Sequence, residues 1–199
     1  MYETLLQRLN QLVPLTPQQQ QDLCLVIQTV ELTKDSCLIE AGQVSNHLYF
    51  VVEGILRSFY NFEGKEVTRW LCFSEHFATS YFSFVYRQPS EDTIALITDA
   101  KLLSISYENL QYLTQQDSVW VDLNRRLLEY YYTALLKRVM SFQTQSTVER
   151  YEKLLQEQPN IENNVPLGYI ASYLGMTQET LSRIRSRRKK RKALNLGSI

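Results

Sequence analysis

Leu167-Gly-Tyr-Ile-Ala-Ser-Tyr-Leu-Gly-Met-Thr-Gln-Glu-Thr-Leu-Ser-Arg-Ile-Arg185 reads as two short helices joined by a tight turn. Two helices that cross steeply need a small residue at the crossing, and Ala171 supplies it. The turn needs a residue that tolerates positive φ, and Gly175 stands four positions on. Ile170, Leu174, Met176, Leu181 and Ile184 provide the inward apolar face. Thr177 is placed to cap the second helix, with Glu179 in its first turn against the positive end of the helix dipole. A helical hairpin that merely packs would meet these needs too. The outer face of the second helix argues for more. Gln178, Glu179, Ser182 and Arg183 can read base edges or hold phosphates: Arg suits guanine, Gln suits adenine, and Glu accepts from cytosine.

A basic run follows at once and includes Arg185, Arg187, Arg188, Lys189, Lys190, Arg191 and Lys192. It is dense enough to attract a phosphate backbone, and it is expected to be flexible without DNA. The run also explains a misleading sum. The chain has 21 Lys and Arg against 21 Asp and Glu, which would argue against a nucleic-acid partner if the charges were mixed. They are not mixed. Every acidic residue lies at or before Glu179, so residues 1–182 carry −8 and the last 17 residues carry +8.

Upstream, Ser118 to about Thr144 is free of Gly and Pro and predicts a helix of roughly 40 Å. Trp120, Leu123, Leu127, Tyr130 and Ala134 form one apolar stripe on it, assigned to a dimer seam. Val121, Leu128, Tyr131, Leu135 and Phe142 form a neighbouring stripe. Two stripes suggest two contacts, one with the helix's own domain and one with a partner helix. A helix buried within a monomer is the alternative. Residues 148–157 predict another helix, and Asn163-Asn164-Val165-Pro166 reads as a linker.

From about Val30 to Ser106 the chain turns to short runs rich in β-branched and aromatic residues. His47–Val52, Gly54–Tyr60, Glu66–Phe73, Thr93–Thr98 and Lys101–Ser106 predict strands, with hairpin turns at Glu53-Gly54 and Phe62-Glu63-Gly64. The segment 77–87 interrupts them as a short helix and loop. Helices are predicted over residues 2–13, from Thr16-Pro17 to about Thr29, and over 107–114. The expected fold is α+β: an N-terminal antiparallel β-roll (double-stranded β-helix or jelly-roll-like), a long dimerisation helix and a C-terminal helix-turn-helix domain. The expected boundaries are 1–116, 117–145 and 146–199.

With 44% hydrophobic and 12% aromatic residues, the composition excludes a disordered chain. No apolar run approaches a membrane span and the N-terminus lacks a signal-peptide pattern, so a cytoplasmic location is expected. Cys24, Cys37 and Cys72 are odd in number and widely spaced, which predicts reduced, partly buried thiols rather than disulfides or metal ligation. His47 and His76 read as packing or surface residues. No catalytic signature such as a P-loop, G-x-S-x-G or H-E-x-x-H is present, and the chain reads as a non-enzyme with no metal site.

A strand-rich domain, a long helix and a C-terminal helix-turn-helix, in that order, resemble the CRP/FNR family of bacterial transcription regulators. Tyr169–Ile184 carries the most specific part of the resemblance. It implies a cyclic-nucleotide-binding roll, a dimer helix, and base contacts that fall here on Gln178, Glu179 and Arg183. Members that bind cyclic AMP use Gly-Glu-Leu followed by Arg-Ser. The corresponding stretches here are Phe77-Ala-Thr-Ser-Tyr81 and Ser90-Glu91-Asp92. The phosphate-binding Arg and the pocket Glu are both absent. Two acids where a phosphate should sit would repel it by about 1–4 kcal/mol at ~4 Å. Cyclic AMP is therefore not the expected ligand, and no cofactor is evident. The iron–sulfur members need four cysteines, which this chain lacks. The family's β-hairpin wing has no counterpart in the 14 residues after Arg185.

The expected function is DNA-binding transcription regulation by a homodimer whose sensor domain has an unknown or lost ligand. Thr177 and Ser182 would position the recognition helix, and the basic run would add affinity. The expected partners are double-stranded DNA, a second copy of the chain and RNA polymerase, with no membrane. The alternative is a small-molecule sensor whose main output is not transcription. Its ligand pocket would be built from Thr79, Ser80, Tyr81, Glu91, Asp92, Tyr130 and Tyr131.

Overall fold

The N-terminal helices are set by local chemistry. Helix α1 (Tyr2–Asn10) buries Leu5 and Leu9, one turn apart. Helix α2 (Pro17–Val26) starts at Pro17 behind a reciprocal capping box. In that box the Gln19 N–H donates to the Thr16 hydroxyl, and the Thr16 N–H donates to the Gln19 side-chain oxygen. Strands follow as β1 (Gln28–Leu32), β2 (Cys37–Ile39), β3 (His47–Glu53), β4 (Leu56–Phe62), β5 (Lys65–Cys72) and β6 (Phe77–Ala78). Helix α3 (Tyr81–Tyr86) interrupts them before β7 (Thr93–Leu96) and β8 (Ala100–Ser106). Next come α4 (Tyr107–Gln116), capped by Ser106, and the long α5 (Val119–Thr144). The C-terminal helices are α6 (Thr147–Glu157), α7 (Ile161–Asn164), α8 (Leu167–Tyr173) and α9 (Gln178–Leu196). This computed structural model describes residues 1–196, with side chains described through Lys190.

Two four-stranded antiparallel sheets, in the orders β1-β8-β3-β6 and β2-β7-β4-β5, build the roll. Side-chain alternation splits the first sheet between two cores. Val51 and Leu102 join Ile39, Leu56, Ile94 and Leu96 in the core shared with the second sheet. Their neighbours Phe50 and Leu103 pack instead with Leu5, Leu9, Leu23, Leu113 and Trp120 of the helices.

The β4–β5 hairpin turns where expected. Phe62 pairs with Lys65 across Glu63-Gly64, both at positive φ, as a two-residue primed turn requires. Glu53-Gly54 is different. Strand β3 pairs with β6 and β8, whereas β4 pairs with β5 and β7, so the chain changes sheets there rather than folding into a hairpin. Gly54 has φ +116°, and a Cβ on it would lie 2.6 Å from the Ala100 Cβ. The crossing therefore needs a residue without a side chain.

Contacts divide the chain into a first unit, residues 1–135, and a second from Leu136 onward, with the division inside α5. Trp120, Leu123 and Leu127, assigned from sequence to the dimer seam, are buried in the first unit's own core. Tyr130 lies under the Arg8 guanidinium of the same unit. In the neighbouring stripe Val121, Leu128 and Leu135 are exposed, as is Tyr132 beside them, whereas Phe142 lies in the second unit against the guanidiniums of Arg138 and Arg150. Tyr131, expected in that stripe, exchanges hydrogen bonds with the Phe77 backbone and is half-buried. In the second unit, Tyr151, Leu154, Ile161, Ile170, Ala171 and Leu181 form the core, and the first two residues of the expected linker at 163–166, Asn163 and Asn164, belong instead to a helical turn, α7.

Candidate nucleic-acid interface

The helix-turn-helix is built on Ala171, 1% exposed where the helices cross, and on Gly175 in the turn at φ +67°. Ile170, Leu174 and Leu181 are buried, while Met176 and Ile184 are half-buried. Helix α9 starts as expected: the Thr180 N–H donates to the Thr177 hydroxyl at 3.2 Å. Glu179's own backbone N–H, then the Thr177 hydroxyl, then Arg183 hold its carboxyl below the usual carboxylate range. Glu179 therefore stays an acceptor at neutral pH.

The outer face of α9 presents Gln178, Glu179, Ser182 and Arg183, all exposed. Arg183 folds back along the helix, its Nε directed at the Glu179 carbonyl at 3.4 Å. Arg187, Lys189 and Lys190 are exposed further along. The basic segment continues α9 as helix through Leu196, where sequence suggested a flexible tail. Among the described residues no strand follows α9; the side chains of Arg191 and Lys192, counted in the basic run, lie outside the described residues.

Two expected DNA contacts face the other way. Arg185 and Arg188 are half-buried. Arg185 Nε forms an ion pair with Glu162 Oε1 at 2.5 Å, and the Tyr151 hydroxyl donates to the same oxygen at 2.5 Å. Burial, followed by the Glu162 carboxylate, pushes the Tyr151 phenol far above its ordinary range, so it remains a donor. Sequence reading missed Tyr151 and Glu162. It also missed the braces on the turn. Arg138 donates to the Tyr173 carbonyl at 2.7 Å, and Arg150 donates to the Leu174 carbonyl at 3.1 Å. Both guanidiniums lie 5.0 Å from the centre of the Phe142 ring. These cations satisfy carbonyls at the C-terminal end of α8, where the dipole favours positive charge.

The expected ligand-pocket residues are only partly brought together. The Ser80 hydroxyl accepts from Ser90, whose hydroxyl is also bonded to the Asp92 backbone. Thr79 donates to the His47 carbonyl at 2.9 Å. Tyr81 and Glu91 are exposed, and the Tyr130 and Tyr131 rings meet edge to face with their centres 5.3 Å apart. The repulsion expected from two acids needs correction. Asp92 is buried and already paired: Arg69 donates to both of its carboxylate oxygens, and Ser58 to one. Separately, a cavity of about 50 Å³ in the first unit is lined by apolar groups such as Leu9, Phe50, Leu103 and Trp120, with Asn124 the one polar side chain. Its size and lining suit no nucleotide.

Among the described residues, no helix is long and apolar enough to cross a membrane. Cys24, Cys37 and Cys72 are free thiols; Cys72 is buried and Cys37 exposed rather than partly buried.

Residues 29–117 match the cyclic nucleotide-binding domain family. No curated protein sequence matches the chain. Among solved structures it is similar to a putative transcriptional regulator of the CRP/FNR family from Eubacterium rectale, at 20% identity over 88% of this chain and 85% of that one, with TM-score 0.69. It is similar to FixK2 from Bradyrhizobium japonicum at 18% identity, covering 84% and 86%, with TM-score 0.69. It is also similar to CLP of Xanthomonas campestris, a global regulator responsive to c-di-GMP, at 17% identity, covering 89% and 93%, with TM-score 0.65. The roll, long helix and helix-turn-helix thus have the fold of CRP/FNR regulators, as the sequence resemblance implied.

Proposed function

We propose that this chain, a cyclic nucleotide-binding-domain protein with the CRP/FNR fold, is a homodimeric, sequence-specific DNA-binding transcription regulator. The observation that carries the reading is the outer face of α9. A capped helix there holds Gln178, Glu179, Ser182 and Arg183 in solvent, and exposed Arg187, Lys189 and Lys190 follow. Arg183 and Gln178 have the donors to read guanine and adenine in the major groove, and Glu179 the acceptors to read cytosine. Thr177 and Ser182 fix the helix on the backbone, and the exposed cations add affinity with little sequence preference.

The dimer forms along α5. Val121, Arg125, Leu128, Tyr132 and Leu135 recur at alternating four- and three-residue spacing, and the four apolar members are exposed. Arg125 interrupts the stripe and is ion-paired to Asp122 and Glu129 on its own helix. Two recognition helices then enter successive major grooves about 34 Å apart on a near-palindromic site. The protein works with RNA polymerase in the bacterial cytoplasm and catalyses no reaction. Cyclic AMP does not control it, because the phosphate-binding Arg and the pocket Glu of the members that bind it have no counterpart in 77–81 and 90–92, and Asp92 is already paired with Arg69.

Selection of bound duplexes from a random DNA pool, with and without cell extract, tests this reading. A recovered two-fold symmetric motif is the expected result. Repeating the selection with Arg183→Ala should relax one base position in each half-site, at a cost of roughly 1–3 kcal/mol. Recovery of no motif in either condition would refute sequence-specific binding.

A further inference from the structure

Glu162 sits in α7, in a stretch with no obvious chemistry, yet one of its oxygens receives two groups. The Tyr151 hydroxyl and Arg185 Nε each approach Oε1 at 2.5 Å. The Glu162 side chain is 19% exposed and that of Arg185 34%, while Tyr151 is wholly buried. A shielded charge pair of this kind is screened little by salt. Its place on α9 matters. Arg185 lies one turn beyond the fully buried Leu181, on the same side of the helix, and two residues from the exposed Arg183. Leu181 and Arg185, with the half-buried Ile184 and Arg188, mark the inward side of α9, and Gln178, Glu179, Ser182 and Arg183 are exposed.

We infer that Glu162 is a specificity-determining positioning residue: anchored by Tyr151, it holds Arg185 off the DNA backbone and fixes the rotation of the recognition helix. The inference rests on the DNA-binding reading above. A phosphate contact from Arg185 would strengthen binding to every sequence alike, which lowers the ratio of specific to non-specific affinity. Neutralising that cation with an internal carboxylate leaves discrimination to the outer face.

The salt dependence of binding reads this directly, because each phosphate contact adds about 0.9 to the slope of log K against log salt. The probes are a mixed-sequence duplex and the duplex recovered by selection. In the wild type, Arg185→Gln should leave the mixed-sequence slope unchanged, whereas Arg187→Gln should reduce it by about 0.9. Glu162→Gln keeps an acceptor for Tyr151 but frees Arg185, so the slope should steepen by about 0.9. Between about 50 and 200 mM salt, that widens the affinity ratio roughly 3.5-fold. Preference for the selected duplex should fall. The double variant Glu162→Gln with Arg185→Gln should return to the wild-type slope.

Tyr151→Phe removes the hydroxyl anchor without changing charge and should move the slope part of the way. Circular dichroism of each variant reports whether the second unit is folded. If Glu162→Gln does not fold, Arg185→Gln in the wild-type background still decides the matter. A slope lowered by Arg185→Gln as much as by Arg187→Gln would overturn the inference. Absence of binding by the wild type to either duplex would instead overturn the DNA-binding reading itself.

Discussion

Phe142 fills the space that a side chain on Gly175 would need: a Cβ there would lie 2.7 Å from the Phe142 Cε1. The same glycine has φ +67°, so two independent constraints fall on one turn residue. Gly175→Ala should lose about 1–2 kcal/mol from the backbone conformation alone, with displacement of the ring added to it. Phe142→Leu would relieve the second term and leave the first. Denaturant unfolding of the two single variants and the double variant should therefore show a double variant more stable than additivity requires. A Gly175→Ala protein that unfolds at the wild-type midpoint would remove both constraints.

Arg69 and Asp92 make an asymmetric pair. The Asp92 side chain is 8% exposed and that of Arg69 60%. Removing Arg69 strands a carboxylate in the roll with only the Ser58 hydroxyl left among the contacts described above, and should cost about 1–3 kcal/mol. Asp92→Asn keeps an acceptor for Ser58 and leaves Arg69 free to reach water, and should cost about 1 kcal/mol or less. Thermal unfolding gives the order. The reverse order would mean that Asp92 is held by something other than Arg69. Cyclic AMP should leave the wild-type melting temperature unchanged, since a ligand that binds only the folded state must raise it.

What the sequence displayed depended on how local the physics was. The helix-turn-helix was legible because Ala171, Gly175, Thr177 and Leu181 act at fixed offsets within one short stretch. The Glu63-Gly64 hairpin was legible for the same reason. Glu53-Gly54 carries an equally good turn signal, but pairing partners as far apart as His47 and Ser106 decide that it joins two sheets. Periodicity showed two stripes on α5 without saying which one its own domain covers, and Trp120, Leu123 and Leu127 went to that domain. Arg69 and Asp92 are 23 residues apart, and Arg69 stands opposite the register shift at Ser58/Phe59. No spacing rule announces such a pair. Asn163-Asn164-Val165-Pro166 read as linker, although α7 takes in its first two residues, because turn residues and a one-turn helix share a composition.

The exposed stripe on α5 should respond to substitution differently from the buried one. Leu128 is 44% exposed and Leu135 49%, whereas Leu127 is 8% exposed. A lysine at 128 or 135 should dissociate the dimer and leave each protomer folded. A buried leucine contributes about 1.5–3 kcal/mol, and two-fold symmetry counts each loss twice. Leu127→Ala should instead destabilise the protomer by about 2–5 kcal/mol. Sedimentation at several concentrations, set beside circular dichroism, separates the outcomes. A Leu128→Lys protein that remains dimeric at low concentration would exclude this face as the seam.

His76 should give the first unit an acid-sensitive step. Its Nδ1 accepts from the Phe73 N–H at 3.4 Å, which requires a neutral ring nitrogen. Burial first, and Arg8 second, push its pKa below the ordinary 6.5, against the opposing pull of Glu75. Between the lowered folded value and 6.5 the unfolded chain binds a proton that the folded chain does not. His76 therefore costs nothing above that window, and stability falls as the pH drops through it. The carboxyls held low in the folded chain, Asp117, Asp122, Glu149 and Glu179, act in a separate range. Their contribution is present above the ordinary carboxylate pKa and is lost only as the pH falls further. His76→Gln removes the first step and spares the second. Urea unfolding from about pH 7 to 5 should thus decline for the wild type and stay flatter for the variant. Parallel declines would assign the step to another group.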